Sequence, residues 1–348
     1  MPKSPEHDSP TPEIAAAVAA LRAGELVAFP TETVYGLGAD ALNPAALLKV
    51  FALKGRPADH PLILHLHSAA DLDPWVAAVP PFARRLAARF WPGPLTLVLP
   101  KADHVSPVLT GGQASIAVRV PAHRVARALL AAFGRGIAAP SANRYGRISP
   151  TRAAHVRDEF PQPLLVLDGG DCEVGLESTI VSLLADTPRV LRPGAISPAA
   201  LSTELGVPVA FGEAATAAAN AADAAPGTPR VPGSTAAHYA PQTPLQLLDR
   251  QSFASALQGA LEAAVAGGQR VAVRAQGAQP ALAPHLRATI AQWNIAAPLA
   301  ADYGRELYAA LRQLDRSGAA LILVETPPAG AEWEAARDRL RRAAAAFP

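Results

Sequence analysis

The sequence predicts an α/β protein of two domains, and three observations support this. Candidate strands alternate with candidate helices along the chain, which is the pattern of α/β folds. A stretch of small residues without apolar periodicity interrupts the pattern, and a second alternating series follows it. The length of 348 residues also exceeds the roughly 250 to 300 residues at which a single core stops growing.

The first series begins with a helix over residues 13–23 and a short buried strand over 26–29, which runs into a polar, glycine-rich segment over 30–38. Asn43 and Pro44 predict the start of the next helix, because asparagine is a favoured N-cap and proline fits the first helical position. This helix ends at the Lys-Gly-Arg-Pro turn. The remaining strands are predicted at 62–66, 95–99, 115–120, 164–167 and 179–184, and helices at 81–90, 122–133 and 151–160.

The composition changes near Phe211, where small residues with several prolines and glycines replace the periodic pattern. Such a composition is typical of an interdomain linker. Beyond it, strands are predicted at 245–248, 270–274 and 319–325, and helices at 252–266, 303–314 and 331–345. We therefore expect a first domain over residues 1–210, a linker over 211–243 and a small α/β domain over 244–348.

The composition excludes several classes of protein. Hydrophobic residues make up 50% of the chain and charged residues 17%, which argues against a disordered chain. Cys172 is the single cysteine, so an intrachain disulfide is excluded. The polar N-terminus lacks the pattern of an export signal, and the apolar runs are far shorter than the roughly 20 residues that span a bilayer. We expect a cytoplasmic protein without membrane contact, and any anion site must be built by local charges because the net charge is only +2.

The sequence does not support either of two common nucleotide-binding motifs. The glycines of Gly36-x-Gly38-x-x-Ala41 match a relaxed dinucleotide fingerprint, and Asp59 follows about twenty residues later. Six polar or turn residues separate the strand from these glycines, however, whereas in a true fingerprint the strand leads directly into them. The chain also lacks the Gly-x-x-x-x-Gly-Lys-Ser/Thr sequence of a Walker-type phosphate loop.

Metal and acyl-serine sites have weaker support. His65 and His67 lie on one face of a strand, with His60 nearby, a spacing that can bind zinc, but no third ligand is evident. An imidazole that is hydrogen-bonded at a strand end, or that contacts a ligand alone, explains the pair more simply. Ser141 lacks the Gly-x-Ser-x-Gly elbow that exposes a nucleophile, so acyl-serine chemistry is disfavoured.

Short polar clusters at the ends of predicted elements carry the functional signal. Lys54 and Arg56 flank a glycine turn and can present two cations to one polyphosphate, although a solvated basic turn is the alternative. Arg119 lies in a strand of apolar neighbours and must be paired or bind a ligand such as a carboxylate. Ser141 and Asn143 follow another strand and offer a hydroxyl and an amide. Ligands of open α/β sheets bind at strand ends, so these clusters predict one site.

The order of these motifs closely resembles the YrdC family. The first domain carries them at residues 30–38, 54–57, 91–96, 119–121, 139–143 and 177–181. Residues 191–194, 232–233 and 238–241, followed by a small α/β domain, resemble the long two-domain form of the family, the threonylcarbamoyl-AMP synthases. The resemblance implies a YrdC-like twisted open sheet with flanking helices, then a linker that reaches over the nucleotide site and a small Rossmann-like domain.

The resemblance also implies a reaction. L-threonine, bicarbonate or CO2, and ATP would yield L-threonylcarbamoyl-AMP and pyrophosphate, with Mg²⁺ accompanying ATP. A separate threonylcarbamoyl transferase complex would then modify tRNA, which the chain would meet only indirectly. By motif matching, Lys54 and Arg56 are the predicted catalytic residues. The predicted ATP contacts are Arg56, His60, Ser115, Ser141, Asn143, Ser149, Arg192 and Tyr239, and the predicted threonine contacts are Thr33, His65, Arg119, Ala139 and Ser178.

Two departures from the family pattern, and two other functions, bear on this interpretation. His60 stands where the family often has asparagine, and residues 234–237 replace a Lys-Tyr-Arg-rich segment whose contacts Tyr239 would have to take over.

An RNA-binding module is the first alternative function, since the chain is rich in arginine, but long basic runs and an aromatic stacking platform are missing. Carbamoyl transfer to another acceptor is the second, but the acylphosphatase-like and zinc-finger segments of those proteins are not seen.

Overall fold

Two β-sheets, one in each half of the chain, organise the computed structural model, which describes residues 10–211 and 229–347. Within these residues, nine strands form the first sheet and four form the second. Helices cover both sheets, so the α/β prediction is confirmed. Residues 1–9, residue 348 and residues 212–228 of the predicted linker lie outside the described residues.

The first sheet mixes parallel and antiparallel neighbours. Its strands in chain order are β1 (Val27–Phe29), β2 (Gly36–Asp40), β3 (Ile63–His65), β4 (Leu95–Pro100), β5 (Ser115–Arg119), β6 (Ile137–Ala138), β7 (Leu165–Val166), β8 (Thr179–Ser182) and β9 (Arg189–Arg192). Their spatial order is β7-β1-β2-β6-β3-β5-β4-β8-β9. Pairs β1/β7, β3/β5 and β4/β8 are parallel, and the other neighbours are antiparallel.

The helices of this half pack on the sheet through apolar faces. They are α1 (Pro12–Arg22), α2 (Pro44–Lys54), α3 (Pro81–Phe90), α4 (Pro107–Thr110), α5 (Arg124–Phe133), α6 (Ala153–Glu159) and α7 (Pro198–Leu205). The predicted N-cap of α2 is present, since the Asn43 side chain accepts from the N–H groups of Ala45 and Ala46. Gly55 ends α2 in the left-handed conformation at φ +62, which costs a glycine little.

Two strands of the first sheet, β2 and β9, are absent from the sequence prediction. The sequence places β2 in a polar, glycine-rich loop, yet it pairs with β1 and β6. Gly38 explains why β2 resembles a loop in the sequence, because a Cβ at this position would lie 2.8 Å from the Phe29 ring and 2.9 Å from the Ile137 side chain. The glycine is needed for close strand packing, although glycine in isolation indicates a turn. Strand β9 has four residues and gives little periodic signal, whereas the strand expected before Ser141 is present as the two-residue β6.

The second sheet is entirely parallel. It contains β10 (Leu245–Leu248), β11 (Val271–Ala275), β12 (Ile290–Ile295) and β13 (Leu321–Glu325) in the spatial order β10-β13-β11-β12. The accompanying helices are α8 (Phe253–Ala266), α9 (Pro284–Thr289), α10 (Ala300–Asp315) and α11 (Glu334–Ala344). Helix α9 and strand β12 were not predicted, because β12 is a half-exposed edge strand without a run of apolar residues. In the described residues, no helix has both the length and the apolar character needed to cross a membrane.

Strand register brings distant residues to one place. In the parallel pair β3/β5, His65 lies opposite Arg119, so the carboxyl ends of these two strands coincide. Strand β4 runs antiparallel to β5 and parallel to β8, which brings the amino ends of β4 and β8 to the same side. Ser178, immediately before β8, therefore lies near Arg119 although the two are far apart in the sequence.

Candidate active site

A cavity lies where these strand ends meet the described part of the linker. It is lined by residues in or next to strands of the first sheet, by Arg56 after α2 and by residues 232–233 and 238–239. Nine of the residues predicted from the sequence are among them. They are Thr33, Arg56, His65, Arg119, Ala139, Ser141, Ser178, Arg192 and Tyr239.

Arg119 ends β5, and protein groups hold its guanidinium on three sides. Its Nη2 lies 2.6 Å from Oε1 of Glu32, its Nη1 donates to the Thr33 hydroxyl at 2.8 Å, and its Nε donates to the Gly93 carbonyl at 3.2 Å. Both members of the ion pair are buried, with side chains 4% and 6% exposed. Within the described residues, this leaves two of the five N–H groups of a guanidinium for a ligand.

Glu32 was not predicted as a site residue. Burial by itself raises the pKa of its carboxyl, but the charge and hydrogen bond of Arg119 outweigh burial and hold the pKa below its ordinary value. Its second oxygen accepts from the N–H of Ala122 at 3.0 Å. The signal was present in the sequence, since an acidic residue directly after a buried strand must find a partner.

His65 ends β3 and is neutral at physiological pH. Burial, and then the positive charge of Arg119, lower its pKa to about 3. Its Nδ1 lies 3.1 Å from the Ile63 carbonyl, and its ring meets Phe29 edge-on at 6.1 Å. His65 thus lines the cavity beside Arg119 as a neutral side chain that can form hydrogen bonds. Within residues 10–211 and 229–347, no group of three or more His, Cys, Asp or Glu residues is arranged to hold a metal ion.

Lys54 lies at the end of α2 and fixes the segment that carries two other predicted residues. Its buried ammonium donates to the Ser141 carbonyl at 2.6 Å and to the Asn143 carbonyl. Burial, and then the charge of Arg56, lower the Lys54 pKa well below its usual range. Neither Lys54 nor Asn143 lines the cavity; the Asn143 amide donates to the carbonyls of Arg144 and Arg147 at 2.7 and 2.9 Å.

Arg56 lines the cavity from the turn after α2. Its Nη2 donates to the Pro61 carbonyl at 2.9 Å, and its guanidinium lies 6.0 Å from the Tyr145 ring. Burial lowers its pKa to about 10, so it remains a cation at neutral pH. His60 is half-buried against the same tyrosine ring at 5.5 Å and does not line the cavity. It therefore supports Tyr145 in this structure.

Ser178 and Arg192 also line the cavity. Arg192 donates from Nη2 to the Ser178 carbonyl and hydroxyl at 2.9 and 3.1 Å, and from Nη1 to the Pro232 carbonyl at 2.9 Å. The Ser178 hydroxyl is also 2.7 Å from the Thr96 hydroxyl. Burial lowers the Arg192 pKa from its ordinary value. Arg192 thus ties the first sheet to the linker.

Glu177 is a second acidic residue of the site that was not predicted, although it lies in a motif that carries the resemblance. Its carboxylate accepts from the Ser149 hydroxyl at 2.6 Å, which explains why Ser149 lies behind the cavity wall and not on it. Burial by itself raises the Glu177 pKa, but the charges of Arg339 and Arg192 hold it at about 2. Arg339 lies in α11 of the second domain, at 2.8 Å from the carboxylate.

The linker covers the cavity with His238 and Tyr239. Tyr239 is the single described residue other than glycine with positive φ, at +62, which shows that its position is enforced by its surroundings. Within the described residues, four buried polar atoms around the site have no hydrogen-bond partner: Nε of Arg56, Oδ1 of Asn143, Nδ1 of His238 and the Tyr239 hydroxyl. Buried polar groups are normally paired, so the unpartnered atoms of the cavity-lining residues Arg56, His238 and Tyr239 are available to a polar ligand.

Ser115 is not brought to the cavity. It begins β5, whereas Arg119 ends that strand, so the two lie at opposite ends of a five-residue strand. Ser115 is paired there with Pro100 of β4. Its predicted role as an ATP contact finds no support in the cavity lining.

The fold and the site define a class: a YrdC-like sheet whose strand-end cavity is covered by a linker and backed by a second α/β domain. A family model described as "Telomere recombination", for the Sua5, YciO and YrdC proteins, matches residues 19–194, and one described as "Threonylcarbamoyl-AMP synthase, C-terminal domain" matches residues 197–345. The chain belongs to this family, in its two-domain form.

Individual relatives agree with this placement over most of their length. The threonylcarbamoyl-AMP synthases of Pyrococcus abyssi and Bacillus subtilis are each 37% identical, over 93% and 96% of this chain and 91% and 93% of their own. The crystal structure of P. abyssi Sua5 complexed with L-threonine has a TM-score of 0.84 at 37% identity and covers 95% of this chain and 94% of its own. The prediction of family and enzyme class is confirmed.

Proposed function

We propose that this chain makes L-threonylcarbamoyl-AMP from L-threonine, bicarbonate or CO2, and ATP, with release of pyrophosphate. The product would serve the first step of threonylcarbamoyladenosine modification of tRNA. One observation carries the proposal: a single cavity joins the guanidinium of Arg119 to the cations Arg56 and Arg192. An amino acid and a nucleotide can therefore bind side by side.

The Arg119 end of the cavity suits threonine. The two free N–H groups of Arg119 match the two oxygens of an amino-acid carboxylate, and charge-assisted pairs of this kind are strong. Thr33 and the neutral His65 lie beside Arg119 and offer polar groups to the threonine hydroxyl. A site that hydrogen-bonds a substrate hydroxyl rejects an analogue that lacks it, so valine should be a poor substrate.

The opposite end of the cavity suits ATP. Arg56 and Arg192 supply positive charge, and the unpartnered atoms of His238 and Tyr239 can meet base, ribose or phosphate groups. We propose that Lys54 holds the segment that begins at Ser141 in place through its hydrogen bonds to the Ser141 and Asn143 carbonyls. Mg²⁺ would enter with ATP, since magnesium commonly binds through substrate phosphates and waters with few protein ligands.

Positioning supplies most of the proposed catalysis. The threonine amine adds to the carbon of CO2 with loss of a proton, or attacks bicarbonate, whose C–OH bond breaks so that hydroxide leaves as water with the amine proton. An oxygen of the resulting carbamate then attacks the α-phosphorus of ATP while the bond to pyrophosphate breaks. Alignment of reactants in one pocket can contribute roughly 7 to 11 kcal/mol through effective molarity. The same enclosure keeps water from the carbamate, which otherwise loses CO2 readily.

We assign the amine proton to an oxygen of a substrate. Both carboxylates of the site are already paired, Glu32 with Arg119 and Glu177 with Arg339. His65, with a pKa of about 3, is too weak a base to hold a proton near neutral pH. A bicarbonate or phosphate oxygen is a better acceptor, and the charge that develops lies beside Arg56 and Arg192.

The linker must move for substrates to enter. The cavity volume of about 40 Å³ is far below the roughly 300 to 1,000 Å³ of typical ligand pockets. Residues Pro232, Gly233, His238 and Tyr239 form its cover. We therefore propose that this part of the linker opens to admit ATP and closes over it, as a lid that excludes water.

The proposed partners follow from the product. A separate threonylcarbamoyl transferase complex would take up threonylcarbamoyl-AMP, and tRNA would be met only by that complex. We propose a cytoplasmic location, because ATP and the tRNA-modifying machinery that consumes the product are found in that compartment.

Pyrophosphate release tests the proposal. The purified protein is incubated with ATP, Mg²⁺ and bicarbonate, and each amino acid is added in turn without tRNA. Release that depends on threonine, with valine as the matched control lacking the hydroxyl, is the expected result. Pyrophosphate release that does not depend on the amino acid would contradict the proposal. Steeply salt-dependent RNA binding without adenylate formation would also contradict it and would favour an RNA-binding module.

A further inference from the structure

The second domain reaches into the site at Glu177. This residue is 6% exposed, and its carboxylate accepts from groups of both domains. Ser149 of the first domain lies 2.6 Å from Oε1. Tyr308 of α10 and Arg339 of α11 lie 2.9 and 2.8 Å from Oε2, and both are almost completely buried.

These two residues of the second domain also hold Tyr239 of the linker. The Arg339 guanidinium lies 5.1 Å from the centre of the Tyr239 ring, and the Tyr308 ring stacks on the same ring at 5.9 Å with an angle of 26°. Arg339 further donates from Nη2 to the Pro193 carbonyl at 2.9 Å, next to Arg192. One pair of side chains thus contacts three segments that border the cavity.

The contacts of Glu177 favour an anchoring role over that of a proton acceptor. Its Oε1 accepts from Ser149 and Tyr308, and its Oε2 accepts from Tyr308 and Arg339. Three donor groups therefore meet the carboxylate, since the single Tyr308 hydroxyl lies within reach of both oxygens. Glu177 is therefore a junction that fixes Ser149 on one side and Tyr308 and Arg339 on the other.

We propose that Arg339 and Tyr308 are positioning residues for the nucleotide half of the site, and that they act through Glu177 and Tyr239. This inference rests on the proposed function, which assigns that half of the cavity to ATP. The second domain then contributes directly to the site, because it neutralises a buried carboxylate on which the shape of the nucleotide pocket depends. Among the described residues, Arg119 hydrogen-bonds to Gly93, Thr33 and Glu32 and to neither of these two residues, so threonine binding around Arg119 should not depend on them.

Five variants of the full chain test the inference, and one of them is Glu177→Gln alone, which completes the double-mutant cycle with Arg339. Tyr308→Phe removes only the hydroxyl that donates to Glu177 and keeps the ring stacked on Tyr239. Arg339→Met removes the cation, and Arg339→Met combined with Glu177→Gln removes the charge on both sides. Arg341→Met is the matched control, because Arg341 lies on the same helix with its side chain 48% exposed and paired with Glu334. ATP affinity is measured by calorimetry, and pyrophosphate release is measured as a function of ATP and of threonine.

We expect ATP affinity to fall about threefold in Tyr308→Phe and about tenfold or more in Arg339→Met, within the range of coupled contacts. The KM for threonine should stay within twofold in both, and Arg341→Met should match the unmodified protein. The double variant should bind ATP no more weakly than Arg339→Met, because the carboxylate left without its partner is gone. Such non-additivity is the sign that Arg339 acts through Glu177.

The inference fails if Tyr308→Phe binds ATP as the unmodified protein does, or if the effects of Arg339→Met and Glu177→Gln simply multiply. A lowered unfolding temperature with unchanged ATP affinity, measured where every variant is folded, would also overturn it and leave a purely structural contact. If Arg339→Met does not fold, Tyr308→Phe decides. An unmodified protein that binds ATP but releases no pyrophosphate with threonine refutes the proposed function alone, and the calorimetric series still judges the positioning role.

Discussion

Replacing Arg119 by lysine should separate threonine binding from every other property of the site. Lysine keeps a positive charge beside Glu32, so the buried carboxylate remains neutralised and the fold should survive. It cannot reproduce the guanidinium fork, which contacts Gly93, Thr33 and Glu32 and still has two N–H groups to spare. The substrate carboxylate therefore loses its partner while the protein keeps its charge.

The size of the effect follows from these contacts. Hydrogen bonds to charged groups contribute about 1.5 to 3 kcal/mol, and 1.4 kcal/mol corresponds to a factor of ten. The KM for threonine in Arg119→Lys should therefore rise about 10- to 100-fold, with the KM for ATP nearly unchanged. Arg119→Met, by contrast, leaves Glu32 unpaired and should lower the free energy of unfolding by about 3 to 5 kcal/mol.

The assay is pyrophosphate release against threonine at saturating ATP and bicarbonate, with a thermal melt of each variant. Arg135→Lys provides a matched control, since Arg135 also pairs with a buried carboxylate, that of Asp40, but has a side chain 50% exposed and lies outside the cavity lining. A threonine KM for Arg119→Lys within twofold of the unmodified protein would refute the assigned role. So would an equal rise in the KM values for threonine and ATP.

Three further outcomes are expected. The pKa of Glu177, about 2, lies below its ordinary value of 4.5, so ionised Glu177 should add about 3 kcal/mol to the free energy of unfolding above pH 4.5. This stabilisation should be lost as the pH falls through 2. Denaturant titrations of the protein and of Glu177→Gln between about pH 6 and 2 measure it. In Gly233→Ala, the added Cβ would lie 1.9 Å from the Tyr239 hydroxyl, so ATP affinity should fall, whereas Gly112→Ala has open space and should not change it. Lys54→Met leaves two carbonyls without their donor, at about 1 to 3 kcal/mol each, and should lower both ATP affinity in calorimetry and the melting temperature.

Local sequence patterns anticipated most of the fold. The cap formed by Asn43 and the apolar runs of β4, β5 and β13 are set by residues close in sequence, so they can be read without a structure. Strands β2 and β12 were not predicted because the residues that they pack against are far away in the sequence. A glycine such as Gly38 indicates a turn until the Phe29 ring beside it is known.

The same distinction applies to the site. The residues that line the cavity could be found because their types and order match the family motifs, Arg56 and Arg119 among them. Glu32 and Glu177 lay inside those motifs but had no role until their partners were known. Arg339 could not be found at all, because an arginine on an amphipathic helix ordinarily faces water and this one is 1% exposed.

By itself, the sequence determined the chemical groups available and the order in which the chain presents them: cations at a turn after a helix, an arginine at the end of a strand, and a tyrosine in a linker. The tertiary structure decided which of these groups are neutralised and which are free to bind. Glu177 and Arg339 are 162 residues apart, and only the packing of the second domain brings them to 2.8 Å. Charge in a buried site depends on such remote partners, because desolvation is costly unless an opposite charge lies in contact.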